Sequence, residues 1–358
     1  MRPEEVASET ANKNSREENM FGKNITFVTA ALAVLGAPAL AVERLNMATP
    51  WPGGQWIESM ERMSDNISFL TNGEVDIEVL AGGAIGSSLK VTEAVSKGLV
   101  EAGHNWSGYD WGIDTTSVLF SGYAGSPSAE VMQHWLSFGG GTELLREWRM
   151  EEFGVVALPC GMAPAEVGMI STKRIQTLAD FEGVKMRTSG AWADIGAGLG
   201  LSTVSMAGSE IYPALERGVI DALEWGTLSS NERQGFHDIA KYNIFPALHQ
   251  PSVVVECLFN KDVWERLGER NQKLIEFAAA LELRVSYEQR GDDDAQAYQT
   301  YVDAGVEFVV LDDEVIQKAD ELTAAWSDNH AEENLWFKKV LEHQRAYARK
   351  WVAADIYR

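Results

Sequence analysis

A chain of 358 residues exceeds the usual size of one domain and leaves room for two lobes of ordinary dimensions. Its composition, 45% hydrophobic and 23% charged, is that of a soluble globular protein and argues against both disorder and membrane insertion. With 53 acidic against 30 basic residues the net charge is −23, which excludes nucleic-acid binding and means that an anionic ligand would need a local positive group.

Residues 1–19 form a polar, charged extension that belongs to no signal, and Met20 is an alternative start. Met20-Phe21-Gly22-Lys23-Asn24 leads into an apolar run from Ile25 to Leu40, broken only by Thr26, Thr29, Gly36 and Pro38. The run closes on Ala39-Leu40-Ala41, the small-x-small pattern of a signal peptidase site, so residues 20–41 read as a secretory signal peptide cut after Ala41. A transmembrane anchor is the alternative, but the run is short for a ~20-residue span and carries a helix breaker near its end. The expected location of the mature chain is the periplasm.

Leu45–Ala48 reads as a short strand opening into the turn Thr49-Pro50-Trp51-Pro52-Gly53-Gly54. Gln55–Leu70 has helical periodicity, and Glu74–Leu80 alternates as a strand does. The glycine-rich loop Ala81–Gly86 lacks the Gly-Lys-Ser/Thr ending and the dinucleotide spacing, so it is a turn rather than a phosphate cradle. A helix over Ser88–Lys97 and a strand over Leu99–Ala102 follow. Further on, Cys160 follows the β-like run Val155–Leu158 and Cys257 lies inside Val253–Phe259. In an oxidising compartment they could pair, or they are two small buried apolar residues; their spacing is not that of a zinc site. From Asn271 to Asp303 only Gly291 interrupts a helical pattern, and a helix of ~30 residues spans ~45 Å, enough to run along two lobes. A strand over Gly305–Leu311 and helices over Asp313–Ser327 and Glu332–Trp351 complete the chain, with Trp326, Trp336 and Tyr347 read as packing residues.

The most informative internal feature is a near-repetition. Ala94-Val95-Ser96-Lys97-Gly98-Leu99-Val100-Glu101-Ala102 leads to Trp106, and Ala214-Leu215-Glu216-Arg217-Gly218-Val219-Ile220-Asp221-Ala222 leads to Trp225. Each reads as helix, basic residue, capping glycine, short strand with an acidic residue, then a loop bearing tryptophan. Two such units suggest two similar α/β lobes, the alternative being chance similarity of two amphipathic helix–glycine–strand units. Ligands of open α/β sheets sit beyond the carboxyl ends of the strands, so Asn105-Trp106 and Glu224-Trp225 would look into one shared cleft.

Four stretches carry a resemblance: Gly82–His104; Leu178-Ala179-Asp180-Phe181-Glu182-Gly183-Val184-Lys185-Met186-Arg187; Glu210–Trp225; and Asn260-Lys261-Asp262-Val263-Trp264. In this order they resemble the substrate-binding subunits of tripartite ATP-independent periplasmic (TRAP) transporters, the DctP family, and within it the branch that binds 2-oxo and 2-hydroxy monocarboxylates. The resemblance implies a bilobed periplasmic solute-binding protein fold of class α/β, its two lobes joined by hinge strands and a long crossing helix. Lobe I would cover 42–160, completed by about 257–270; lobe II 161–256; the crossing helix 271–304; and the C-terminal strand and helices 305–358. It implies a binding protein rather than an enzyme, partnered by a small organic acid and the membrane permease, and its branch includes homodimers.

Arg187 matches the family arginine that pairs with the ligand carboxylate, and a guanidinium fork fits a carboxylate with two parallel donors. Glu224 and Trp225 match a Glu-Trp pair whose glutamate side chain and main-chain carbonyl help hold a cation. Glu166, in Ala163-Pro164-Ala165-Glu166-Val167-Gly168, falls where glutamine is expected. With Glu166 and Glu224 ionised, Arg187 and a monocarboxylate, the charges around the ligand sum to −2, which Ca²⁺ neutralises and Na⁺ does not. The competing reading has Glu166 meet a cationic group on the ligand with no metal. Trp51, Trp106, Tyr109 and Trp192 are expected near the cleft, where loop aromatics would suit a ligand larger than pyruvate. His249, Gln250 and Glu256 are secondary candidates. Two other function classes stay open on the residues alone: an exported hydrolase using Glu166 and Glu224 as paired carboxylates, and a carbohydrate-binding protein exploiting 12 tryptophans.

Overall fold

Two β-sheets organise the chain in a computed structural model that describes residues 42–354. The polar extension and the signal peptide expected over 20–41 lie outside the described residues. The first sheet contains β1 (Glu43–Ala48), β2 (Val75–Leu80), β3 (Ala102–Asn105), β4 (Val155–Ala163) and β10 (Val253–Asn260), in the order β2-β1-β3-β10-β4. The second contains β5 (Met169–Ser171), β6 (Lys185–Arg187), β7 (Ser202–Val204), β8 (Ala222–Leu223), β9 (Tyr242–Phe245) and β11 (Glu307–Val310), in the order β11-β9-β5-β8-β6-β7. Both follow one plan. A parallel trio (β2, β1, β3 or β7, β6, β8) is followed by an antiparallel strand (β10 or β5), and a further strand (β4 or β9) runs antiparallel to that one. The bilobed α/β class expected from the sequence is the class observed.

The repeated segments occupy equivalent places in the two sheets. The helices Val91–Ser96 and Gly208–Glu216 each end in a left-handed glycine, Gly98 at φ 66° and Gly218 at φ 69°. In each the next amide closes the same turn, Leu99 N–H onto Ala94 O and Val219 N–H onto Ala214 O, both at 2.9 Å. The strands then begin at Ala102 and Ala222, so the strand predicted from Leu99 starts three residues too early. The reason is that Leu99 and Val219, 67% and 57% exposed, are turn residues, while Val100 and Ile220 beside them fill the core. The repeated acids tie each strand to its parallel neighbour: Glu101 Oε2 accepts the Asn46 amide at 3.0 Å, and Asp221 Oδ2 accepts the Lys185 amide at 3.0 Å.

The chain crosses between sheets at 164–168, at 246–252 and along the 43-residue helix Lys261–Asp303. That helix starts ten residues before the predicted Asn271, because the Asn260 side chain caps the amides of Asp262 and Val263 and the helix continues through a kink at Gly268. Gly291 does not break it. It packs on β4, on the helix Gln55–Leu70 and on the helix Leu228–Arg233, and so touches both halves of the fold. The two crossing segments are themselves joined, Glu166 N–H donating to Gln250 O at 3.2 Å.

The two cysteines pair. Cys160 and Cys257 form a disulfide with Cα atoms 5.7 Å apart, where a bulge in the β4–β10 ladder sets Pro159 opposite Glu256 and Gly161 opposite Val255, leaving Cys160 as the extra residue. Trp326, Trp336 and Tyr347 pack against the main core, as predicted. Among the described residues no helix is long and apolar enough to cross a membrane.

Candidate functional site

The carboxyl ends of the central strands of both sheets converge on one cleft, a cavity of about 40 Å³. Arg187 ends β6, Glu224 and Trp225 follow β8, and Trp106 and Tyr109 follow β3; Glu166 and His249 come from the two crossing segments.

Arg187 is 2% exposed, and its Nη1 donates to the Glu224 main-chain oxygen and to Glu224 Oε1, both at 3.0 Å. Its Nε and Nη2 both meet the Met206 carbonyl at a long 3.4 Å, and the Tyr109 hydroxyl also bonds the guanidinium, which leaves Nη2 one further N–H. Burial works against the guanidinium charge, but Glu224, the Tyr109 hydroxyl and Glu166 outweigh it and hold Arg187 above its ordinary range. Burial also pushes the Tyr109 phenol up, with the Arg187 charge opposing. Glu224 Oε1 takes a second hydrogen bond from the Ser189 amide at 3.1 Å.

Glu166 Oε2 lies 3.0 Å from His249 Nε2, a contact between residues 83 apart in sequence that spans the two crossing segments. Burial pushes the Glu166 carboxyl up; the hydrogen bond from His249 lowers it, and the like charge of Glu224 raises it again. Ligand atoms of Glu166, Glu224 and His249 all lie within 4.8 Å of one another, a spacing that a single cation can satisfy.

Aromatic rings form the walls. Trp51 meets Trp56 with ring centroids 5.6 Å apart, Trp106 meets Tyr109 edge-on at 5.1 Å, and Trp192 lies 6.2 Å from His249. The Trp225 ring sits beneath the Arg187 guanidinium at 5.7 Å. A glycine stands under a tryptophan from each lobe: a Cβ on Gly108 would lie 2.1 Å from the Trp106 ring, and one on Gly208 would lie 2.4 Å from the Trp225 ring. At the rim the halves touch directly, Gln55 bonding Ser229 at 3.1 Å and Ser230 at 2.7 Å, with Arg233 2.6 Å from Glu58.

Of the residues singled out from sequence, the cleft brings together Arg187, Glu166, Glu224, Trp225, Trp51, Trp106, Tyr109, Trp192, His249 and Gln250. Asn105 does not line it: the amide is buried behind β3 against Thr92 Oγ1 at 3.1 Å and Asp110 Oδ2 at 3.4 Å. Glu256 is also elsewhere, paired in the lobe I interior with Arg149, which in turn bonds Asp110 at 2.7 Å. Trp56, Tyr123, Ser189, Val253 and Val255 line the cleft without having been anticipated. Strand alternation could have found three of them, since Ser189 follows Arg187 by two residues and Val253 and Val255 share a face of β10. The tryptophans of the cleft are gathered in one cavity instead of being spread along an exposed face, which removes the ground for the carbohydrate-binding alternative.

The model of the bacterial extracellular solute-binding protein family 7 (DctP) matches residues 49–334. The monocarboxylate 2-oxoacid-binding periplasmic protein of Nostoc sp. is 28% identical over 309 residues, covering 86% of this chain and 84% of that protein. A TRAP transporter solute-binding protein from Bordetella bronchiseptica superposes with a TM-score of 0.84 at 25% identity, covering 87% of this chain and 94% of its own; it is described as a mixed-occupancy dimer with copurified calcium and picolinate in a bound site and an apo site. A TRAP periplasmic solute-binding protein from Pseudoalteromonas atlantica with bound sodium and pyruvate shares the fold at a TM-score of 0.83 and 24% identity, covering 88% of this chain and 97% of that one.

Proposed function

The chain belongs to family 7 of the bacterial extracellular solute-binding proteins, a transport family rather than an enzyme family, and from that premise we propose that its cleft captures a 2-oxo or 2-hydroxy monocarboxylate together with a bridging cation. The observation that carries this reading is Arg187, a buried guanidinium that opens on the cleft beside a carboxylate pair in a protein of net charge −23. The ligand carboxylate takes the donor capacity that Nη2 keeps beyond its long contact with the Met206 carbonyl. Glu166, Glu224 and the Trp225 carbonyl hold the cation, which offsets the negative charge they gather and fixes the ligand's second oxygen. Trp51, Trp106, Tyr109 and Trp192 pack on an apolar substituent, so acids bulkier than pyruvate fit the walls. Asn105, tied up behind β3, has no ligand role in this reading.

No step requires catalysis. Closure of the lobes on ligand presents a single docking form to the membrane permease of a TRAP transporter, in the periplasm. A homodimer is the assembly to test, in view of the dimer described for the Bordetella relative. The deciding experiment is a thermal-shift panel of 2-oxo, 2-hydroxy, dicarboxylic and aromatic acids, run with added cations and with a chelator. Monocarboxylates with a 2-oxo or 2-hydroxy group should raise the melting point by mass action, and removing the cation, by chelator for a divalent ion or by sodium-free buffer for sodium, should abolish the shift. Equal shifts from sugars, or shifts that survive both chelation and replacement of sodium by a large organic cation, would refute the reading.

A further inference from the structure

His249 is the cleft residue that neither the arginine nor the Glu-Trp pair accounts for. It is 5% exposed, it sits on the second crossing segment, and its Nε2 points at Glu166 Oε2 3.0 Å away. Its Nδ1 is buried without a hydrogen-bond partner among the described residues, so the ring's one polar engagement is on the side of the carboxylate pair. We propose that His249 Nε2 ligates the bridging cation alongside Glu166 and Glu224, so that this cleft selects a borderline divalent ion of the iron-to-zinc series over calcium or sodium. The inference rests on the cation-assisted reading above and narrows it to an ion class.

Three arguments support it. The donor atoms lie within 4.8 Å of one another, near enough for small side-chain movements to bring them onto one ion. An imidazole nitrogen is a poor partner for Ca²⁺, which takes oxygen ligands, and a common one for zinc, iron, nickel and copper. Charge agrees with a divalent ion: two carboxylates, Arg187 and a monocarboxylate sum to −2, which one such ion cancels. A 2-oxo acid chelates through its carboxylate and keto oxygens and would add two donors to the four from the protein, the Trp225 carbonyl among them.

The test uses the tag-free mature chain after chelator stripping, with Co²⁺ as the probe. Co²⁺ binding is read first from its visible spectrum without any acid, then by how much Co²⁺, Ca²⁺ or Na⁺ is needed for pyruvate binding. Because even indirect partners of metal ligands change affinity by about 10- to 100-fold, His249→Gln should weaken Co²⁺ by more than that, and by at least about tenfold more than it raises the Ca²⁺ requirement. Pulsed EPR of the Cu²⁺-loaded wild-type protein should show coupling to a directly bound imidazole nitrogen, a readout that needs no variant to fold. The proposal is overturned if Ca²⁺ or Na⁺ serves as well as Co²⁺, if His249→Gln shifts all ions equally, or if the nitrogen coupling is absent. Tight Co²⁺ binding without pyruvate binding would support the metal site and count against the functional reading alone.

Discussion

Replacing Arg187 by methionine keeps the unbranched stem of the side chain and removes the guanidinium, with its charge and donors. Two separate losses follow from the geometry. The ligand carboxylate loses a buried charge-assisted partner, a truncation that costs about 2–5 kcal/mol, or roughly 30- to 5,000-fold in Kd. The fold loses one half of a buried ion pair, the arginine side chain being 2% and the glutamate 11% exposed. Glu224 would then retain only the Ser189 amide, and leaving such a carboxylate unpaired costs about 3–5 kcal/mol. Adding Glu224→Gln removes the stranded charge, so the double variant should recover most of the lost stability and none of the lost affinity. Urea denaturation and isothermal titration with pyruvate read the two losses independently. If Arg187→Met binds within threefold of the wild type, the carboxylate is not held there; if Glu224→Gln restores no stability, the ion pair is not the source of the cost.

Three further outcomes are expected. Removing the disulfide with Cys160→Ala and Cys257→Ala releases a loop of sequence separation 97, worth about 4–5 kcal/mol in the loop-entropy account, and should lower the urea midpoint while leaving pyruvate affinity within threefold. Gly208→Ala places a methyl 2.4 Å from the Trp225 ring, so it should weaken ligand binding at least tenfold by displacing that wall, whereas Gly291→Ala, with open space at its Cβ position and ordinary helical backbone, should not. His104 is buried beside Trp51, and burial followed by the nearby Arg290 charge pushes its pKa down to about 3. The unfolded chain therefore binds the extra proton first: stability is full above pH 6.5 and falls as the pH drops from there towards 3, by up to about 1.4 kcal/mol per unit. His104→Phe should flatten that acid limb in pH-dependent urea titrations.

The parts of this molecule legible in the sequence were those carried by local pattern. The twinned helix–glycine–strand units announced two lobes because a left-handed glycine followed by an acid leaves the same trace twice, and Arg187 was found because its motif is contiguous. Proximity between distant segments was not legible. Nothing near Glu166 marks His249 as its partner, since the bond depends on two crossing segments running side by side. Trp56 was absorbed into an amphipathic helix, where an aromatic facing a cleft and one facing a core look alike. Glu256 was a legible error: Val253 and Val255 face the cleft, so alternation sends Glu256 to the opposite side of β10, where Arg149 meets it.

The paired crossing segments set what kind of instrument this receptor is. β4 and β10 are stapled by the Cys160–Cys257 bond on the lobe I side, and just beyond it Glu166 and Gln250 share a backbone hydrogen bond while Glu166 and His249 share a side-chain one. Two segments clamped side by side resist sliding past one another and yield more readily to flexing together. On the reading proposed above, cargo held at Glu166 and His249 sits on that flexing pair itself, so the residues that would grip the ligand are also those that join the lobes.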